Sequence, residues 1–330
     1  MQPSKENQKI LAEYEEFLIQ WKSSKSSITQ HTSGSTGKPK RIEITKAMMK
    51  ASAQMTGDFF QLSAGQRALL CISPKFIGGK MMIVRAECYN LELIATSVSS
   101  TPLINLTQPI DFAAMVPLQV SETLKQHPEK LNLIKNLIIG GAPVSKELEI
   151  ALQSTTCQAY STYGMTETVS HIALKKLDNT NAPFIGIGQS SFSTKEDCLV
   201  ISSPELGIKN LETNDVVLLE NKHAFRWMGR SDFTINSGGI KIQPEEIEGK
   251  LAHLLPKGKF IISGLDDEKL GKKVILIAEN ELSEIFDDEK VSKVLDRFER
   301  PKQVYFVDNI RQTANGKIDR LATLKLINEG

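Results

Sequence analysis

Apolar residues along the first part of the chain recur with two different periods. Ile10, Leu11, Tyr14, Phe17, Leu18 and Trp21 fall at helical spacing and predict an amphipathic helix over 7–21. A short polar linker at 23–27 follows. Residues 41–44 alternate as a strand does, and Thr45 is placed to cap a helix over 46–60. Residues 68–72 are an unbroken apolar run of buried-strand length, ended by Ser73-Pro74. Gly78-Gly79 opens another helix, and 91–98 reads as a further strand. The alternation then repeats: a strand at 112–116 stopped by Pro117, a helix at 119–126, and a strand at 137–139. That strand runs into Gly140-Gly141-Ala142-Pro143. Ser145 is placed to cap the next helix, and 157–160 begins another strand. Strands alternating with helices predict an α/β domain with a largely parallel sheet. Ligands of such sheets sit beyond the carboxyl ends of the strands. The Gly140 loop and the segment after Tyr160 both fall there.

From Asp197 onward the pattern shortens. Strands at 198–202, 216–219 and 225–228, with turns between, predict a small β-rich subdomain. Gly229-Arg230-Ser231-Asp232 reads as a boundary. Beyond it a helix at 244–253, a strand at 274–278, a largely helical stretch at 282–298 and a strand at 304–307 make a small α+β unit. No internal repeat or low-complexity tract interrupts the chain. The expected organisation is a large N-terminal α/β domain over 1–230 and a small α+β domain over 231–330.

Composition narrows the function classes. The 330 residues, 40% hydrophobic and 24% charged, suit a globular chain of two domains. Forty basic residues against thirty-nine acidic ones leave +1, so bulk charge offers no case for nucleic acid or a membrane surface. Any anion binding must be local. Cys71, Cys88, Cys157 and Cys198 lack the close spacing of a zinc or redox pair and read as small residues in a reducing compartment. The N-terminus has no apolar signal core, and no apolar run approaches the ~20 residues that span a bilayer. A cytoplasmic protein without membrane insertion is expected. The five histidines are scattered, and none sits in a hydrolase motif.

Local anion chemistry concentrates in His31-Thr32-Ser33-Gly34-Ser35-Thr36-Gly37-Lys38-Pro39-Lys40. Glycines let the backbone turn sharply and approach a ligand. Successive main-chain N–H groups form an anion cradle, and four hydroxyls and two lysines add donors and positive charge. This suits a polyphosphate. It is not the common nucleotide loop, because only two residues separate Gly34 from Gly37 and Pro39 follows Lys38.

The run Ser33-Gly34-Ser35-Thr36-Gly37-Lys38-Pro39-Lys40 resembles the phosphate-binding signature of the adenylate-forming superfamily: acyl-CoA synthetases, luciferases and peptide-synthetase adenylation domains. The resemblance implies that Thr32, Ser33, Gly34, Ser35, Thr36, Gly37 and Lys38 hold ATP phosphates. Tyr163-Gly164-Met165-Thr166-Glu167 resembles the family's Tyr-Gly-x-Thr-Glu. It implies that Thr166 meets a phosphate and that Glu167, a hard carboxylate, holds Mg2+. Tyr163 and Gly164 would lie against adenine, with Gly140, Gly141, Ala142 and Pro143 as the opposite wall. Thr213-Asn214-Asp215 stands where the family has Thr-Gly-Asp, so Asp215 would bind the ribose. Asparagine also tolerates a left-handed backbone, so Asn214 is expected to be neutral.

A long match over 229–248 resembles the family's hinge region. It implies Arg230 on ribose or phosphate, Asp232 as the hinge, and Ser237, Gly238 and Gly239 shaping the coenzyme A tunnel. Thr313-Ala314-Asn315-Gly316-Lys317-Ile318-Asp319-Arg320 resembles the C-terminal signature, whose lysine enters the site during adenylation. Lys317 would stabilise charge building between carboxylate and α-phosphate. Weaker acyl-pocket candidates are Lys75, Phe76, Arg85 and His171, with Lys75 or Arg85 placed to meet a second substrate carboxylate.

The implied activity is acid–thiol ligation with ATP, Mg2+ and coenzyme A acting on a small carboxylic acid. Compactness and the Ser-Gly-Gly run followed by Pro-x-Glu resemble the o-succinylbenzoate–CoA ligases of menaquinone biosynthesis. The chain departs from them in having only about thirty residues before the phosphate loop. Loading of a carrier protein and a non-catalytic nucleotide-binding role are the alternatives. Oligomeric state, a homo-oligomer included, stays open.

Overall fold

The computed structural model describes residues 5–31, 41–256, 258–312 and 318–328. Helix α1 (Lys5–Lys22) packs its apolar stripe, Ile10, Phe17 and Trp21, onto the body of the protein. Strands β1 (Ser27–His31) and β2 (Arg41–Thr45) pair antiparallel, His31 facing Arg41. The serine/glycine loop at 32–40 lies outside the described residues, but its two ends are thereby held side by side. Thr45 caps α2 (Lys46–Phe60) as expected, its hydroxyl accepting the Met48 N–H at 3.2 Å.

The alternating half follows: β3 (Arg67–Leu70), α3 (Ile77–Tyr89), β4 (Glu92–Ala95), β5 (Ile110–Met115), α4 (Pro117–Gln126), β6 (Ile134–Ile139), α5 (Lys146–Leu152) and β7 (Gln158–Gly164). These strands lie parallel in the order β4-β3-β5-β6-β7. Their side chains alternate between two cores. Ala68, Leu70, Phe112 and Ala114 face α1, α2 and α3, while Leu69, Ala113 and Met115 face α4 and α5. A sheet covered on both faces needs strands apolar throughout, which is why these read as continuous runs.

The β-rich segment forms no separate subdomain. Strands β8 (His171–Lys176), β9 (Phe184–Gly186), β10 (Ser191–Lys195), β11 (Cys198–Ser203), β12 (Ile208–Asn221) and β13 (Ala224–Arg230) extend the same sheet. Among the described residues it has eleven strands, ordered β10-β11-β12-β13-β9-β8-β7-β6-β5-β3-β4. Strand β12 is longer than expected because register shifts let a bent strand continue through Asp215.

The chain leaves this sheet at Arg230 and enters a second at β14 (Ile235–Ser237). Then come β15 (Ile240–Ile242), α6 (Pro244–Leu251), β16 (Phe260–Asp267), β17 (Gly271–Glu279), α7 (Asp288–Val294), β18 (Gln303–Val307) and α8 (Arg320–Asn328). Ile247, Leu251, Phe260, Ile262 and Leu276 centre its core. The stretch 282–298 is less helical than expected. The Asp287 carboxylate accepts the Lys290 N–H at 3.0 Å and starts α7 there. Leu282, Val291 and Leu295 are all buried, so their spacing mimics one helix across a break. A large α/β domain with a mixed sheet, followed by a smaller α+β domain, is the architecture expected. Among the described residues no helix is long and apolar enough to cross a membrane.

Candidate active site

The carboxyl ends of β6 and β7 assemble the first group of candidates. Gly140 follows β6, its N–H bonded to the Met115 carbonyl at 3.1 Å. A Cβ there would lie 2.4 Å from the Thr162 hydroxyl, and Gly141 has φ +86°, so both positions need glycine. This brings the Gly140-Gly141-Ala142-Pro143 loop against β7. Past Gly164, Thr166–Thr168 is a single 3-10 turn. The Thr168 hydroxyl receives the Met165 N–H at 2.9 Å and faces the Met165 and Ser170 carbonyls. Val169 closes the turn at φ +67°, an uncommon conformation for a β-branched residue. Glu167 projects from this turn into solvent and makes no hydrogen bond or ion pair among the described residues. A carboxylate so exposed is a donor of the kind Mg2+ takes, the ion being bound through one or two carboxylates plus phosphates and water.

Tyr163 and Asp215 come together although 52 positions apart in the chain. The Tyr163 hydroxyl donates to Asp215 Oδ2 at 2.6 Å, and Trp227 Nε1 donates to Oδ1 at 3.1 Å. Burial, and then the Asp215 charge, push the Tyr163 hydroxyl well above the usual phenol range, so it remains a donor. Its ring meets Phe225 edge-on at 5.0 Å and Phe184 at 5.9 Å. Trp227 carried no motif in the sequence, and its part in holding Asp215 is visible only here. Arg230 Nη1 lies 3.8 Å from Asp215 Oδ1, while Nη2 and Nε grip Asp232 Oδ2 at 2.5 and 3.2 Å.

Asn214 does not use the left-handed backbone open to it: it lies within β12 and is absent from the positive-φ residues. Its side-chain amide instead donates to Asp232 Oδ1 at 2.9 Å, and the Ser231 hydroxyl returns to its carbonyl at 3.2 Å. Asp232 thus has both oxygens held. Ser237, Gly238 and Gly239 form the β14–β15 hairpin turn. Gly238 and Gly239 have φ +58° and +82°, the tight turn that asks for two such residues. Lys317, like 32–38, lies outside the described residues. Its flanks are held by a bridge between Gln312 and Ile318.

The four acyl-pocket candidates divide. Lys75 is exposed and pairs with Glu13 of α1 at 3.4 Å, and Phe76 is 58% exposed at the start of α3. Neither makes a hydrogen bond or ion pair with Arg85 or His171. Those two are buried and linked. Arg85 Nη2 donates to the Ser170 hydroxyl at 3.2 Å, and that hydroxyl lies 3.4 Å from His171 Nδ1. His171 Nε2 is 3.2 Å from the Thr56 hydroxyl, which itself donates to the Ser52 carbonyl. Thr56 therefore accepts from Nε2–H, leaving Nδ1 to accept from Ser170. The histidine is neutral: burial, and then the Arg85 charge, hold it well below 6.5. Arg85 itself is 1% exposed, stacks 5.8 Å over Phe112, and has no carboxylate partner among the described residues. Its Nε has no acceptor, and burial pushes the guanidinium down to about 9. Ser170 and Thr56 had no sequence signal.

Residues 4–195 match the family described as AMP-binding enzyme. A 2-succinylbenzoate–CoA ligase of Bacillus cereus is 24% identical over 341 residues, covering 91% of this chain and 70% of that protein. A crystal structure of an acyl-CoA synthetase (AMP-forming)/AMP-acid ligase II-like protein from Dyadobacter fermentans superposes with a TM-score of 0.65. It is 34% identical and covers 99% of this chain and 96% of that one. The o-succinylbenzoate CoA synthetase of Bacillus subtilis, in complex with its acyl-adenylate intermediate, shares the fold at a TM-score of 0.74. There the identity is 20%, with 89% of this chain and 68% of that one covered.

Proposed function

The chain belongs to the AMP-binding enzymes, and from that membership we propose that it is an o-succinylbenzoate–CoA ligase of menaquinone biosynthesis. The family chemistry is acid–thiol ligation through an acyl-adenylate. A substrate carboxylate oxygen attacks the α-phosphorus of ATP, and pyrophosphate leaves with the electrons of the broken P–O bond. A thiol then attacks the acyl carbon, loses its proton, and AMP leaves. We assign the thiol to coenzyme A.

The observation that carries the choice of acid is Arg85. A guanidinium removed from water without an anion is costly. A ligand that supplies the missing charge removes that cost. o-Succinylbenzoate has two carboxylates, one to be activated and one to meet Arg85, with Ser170 and neutral His171 aligning the guanidinium. The 2-succinylbenzoate ligases among the relatives support the same reading. In it the loop 32–38 and Thr166 hold ATP phosphates and Glu167 holds Mg2+. Tyr163, Gly164 and Gly140 to Pro143 bound the adenine, and Asp215 and Arg230 hold the ribose. Lys317 serves adenylation. The second domain, 231–330, pivots at Asp232 and brings Ser237, Gly238 and Gly239 to the thiol. We assign the reaction to the cytoplasm.

Incubation with o-succinylbenzoate, ATP, Mg2+ and coenzyme A, read by mass, tests this. The expected products are o-succinylbenzoyl-CoA and AMP. AMP formation with benzoate but none with o-succinylbenzoate would overturn the choice of acid.

A further inference from the structure

Thr56 is a buried residue of α2 to which the ligation chemistry gives no part. It stands at the head of a line of four polar side chains: Thr56, His171 at the start of β8, Ser170 beside it, and Arg85 on α3. Each hydroxyl in the line has one proton to give. A threonine inside a helix can turn its hydroxyl back onto the carbonyl four residues earlier. Thr56 does so, donating to the Ser52 carbonyl at 3.0 Å. Its proton is then spent, and its oxygen, 3.2 Å from His171 Nε2, can only accept. That places the ring proton on Nε2 and the lone pair on Nδ1. Ser170, 3.4 Å from Nδ1, gives its own proton there, and its oxygen accepts from Arg85 Nη2 at 3.2 Å. Among the described residues, that hydroxyl is the one oxygen that takes a hydrogen bond from the guanidinium. The other contacts of Arg85 are the Met82 sulfur at 3.8 Å and the Phe112 ring.

We propose that Thr56 is a specificity-determining positioning residue: by fixing the His171 proton on Nε2 it orients the Ser170 hydroxyl, and so aims Arg85 at the second carboxylate of the acid. This rests on the reading of Arg85 as the receptor of that carboxylate. With the proton on Nδ1 instead, His171 would become a second donor to the Ser170 oxygen and compete with Arg85 for it. Nε2 would then face a hydroxyl with no proton to offer. A buried nitrogen without a partner is costly, so the Thr56 oxygen selects one tautomer. Thr56 itself is shut off from solvent, so its effect on a ligand passes through Ser170.

The test uses the full chain with T56V, T56S, S170A and the double variant T56V/S170A. Without substrate, the ring-nitrogen NMR shifts of His171 are assigned by their loss in H171Q. They should show Nε2–H in wild type and T56S, and a change toward Nδ1–H in T56V. A wild-type protein with its proton on Nδ1 overturns the inference whatever the variants do, and so does T56V with wild-type ring shifts. In steady state, T56V should raise the KM for o-succinylbenzoate about fivefold, the factor one hydrogen bond supplies. Its kcat and its KM for ATP should stay within about twofold of wild type, and T56S should restore the KM. S170A should raise the same KM, and T56V/S170A no further than S170A alone, since the two residues act in series. Additive effects in the double variant, an equal rise in the KM for ATP, or an unchanged KM in T56V overturns the inference. An unchanged KM in R85M instead overturns the reading of Arg85, and the ring shifts still decide what Thr56 does to His171.

Discussion

Arg85 and Lys75 show how much depends on a single side chain's direction. Lys75 precedes α3 and Arg85 lies in its second half, and both were candidates for a second carboxylate. Lys75, ahead of the helix, points out to Glu13, whereas Arg85, within it, points into the core over Phe112. The physical consequence is a trade between stability and binding. Arg85→Met removes a buried charge that no carboxylate among the described residues balances, so its melting temperature should equal or exceed that of wild type. Its KM for o-succinylbenzoate should rise about 100-fold, the equivalent of about 3 kcal/mol for a lost buried charge pair. Benzoate, with one carboxylate, should be indifferent to the change. Thermal melts and steady-state kinetics read all three, and a destabilised variant with unchanged KM would exclude the role. The sequence marked Arg85 as a candidate; that it is the unbalanced one depends on neighbours far along the chain.

The element that organises the site is the connection from β7 to β8. Gly164 pairs with His171 across it, and a Cβ on Gly164 would sit 2.2 Å from the Ser170 carbonyl oxygen. A main-chain atom cannot give way as a side chain does. Gly164→Ala should therefore separate the strands, cost about 1–3 kcal/mol, and lower adenylation at least about tenfold by displacing Thr166 and Glu167. Gly78→Ala is the control. Its nearest neighbour would be 3.6 Å away, an ordinary contact, so melting temperature and adenylation should stay at or above wild type. Thermal denaturation and pyrophosphate release check both variants. The Tyr-Gly-x-Thr-Glu run was legible as a motif. The strained Val169 turn was not, because a positive φ at a β-branched residue follows from tertiary packing and not from propensity.

For the whole molecule, the decisive contacts cross between the two sheets. Asn214 and Arg230 hold the two oxygens of Asp232, and Lys241 meets Asp197 at 3.2 Å. The Lys241–Asp197 pair is exposed on both sides and adds little stability. In the proposed reading of Asp232 as the pivot, Asn214 clasps that pivot. Asn214→Gly, which restores the family's usual residue, should raise overall turnover by up to about fivefold, the factor one hydrogen bond of about 1 kcal/mol supplies. Each half-reaction measured alone should be unchanged, since the amide is engaged by Asp232. Steady-state and single-half rates give the comparison, and slower turnover would show that the clasp aids reorientation.

The alternating strands and helices over 41–164, the two-domain architecture and the family's reactive residue types are determined by the sequence alone. Apolar period and motif spacing are local properties and survive without knowledge of partners. The tertiary structure alone decided that the β-rich segment extends the main sheet, that Tyr163 and Trp227 share Asp215, that Asn214 clasps Asp232, and that Arg85 is buried with no carboxylate partner among the described residues. Each of these joins residues far apart in the chain, and only packing selects which of them meet.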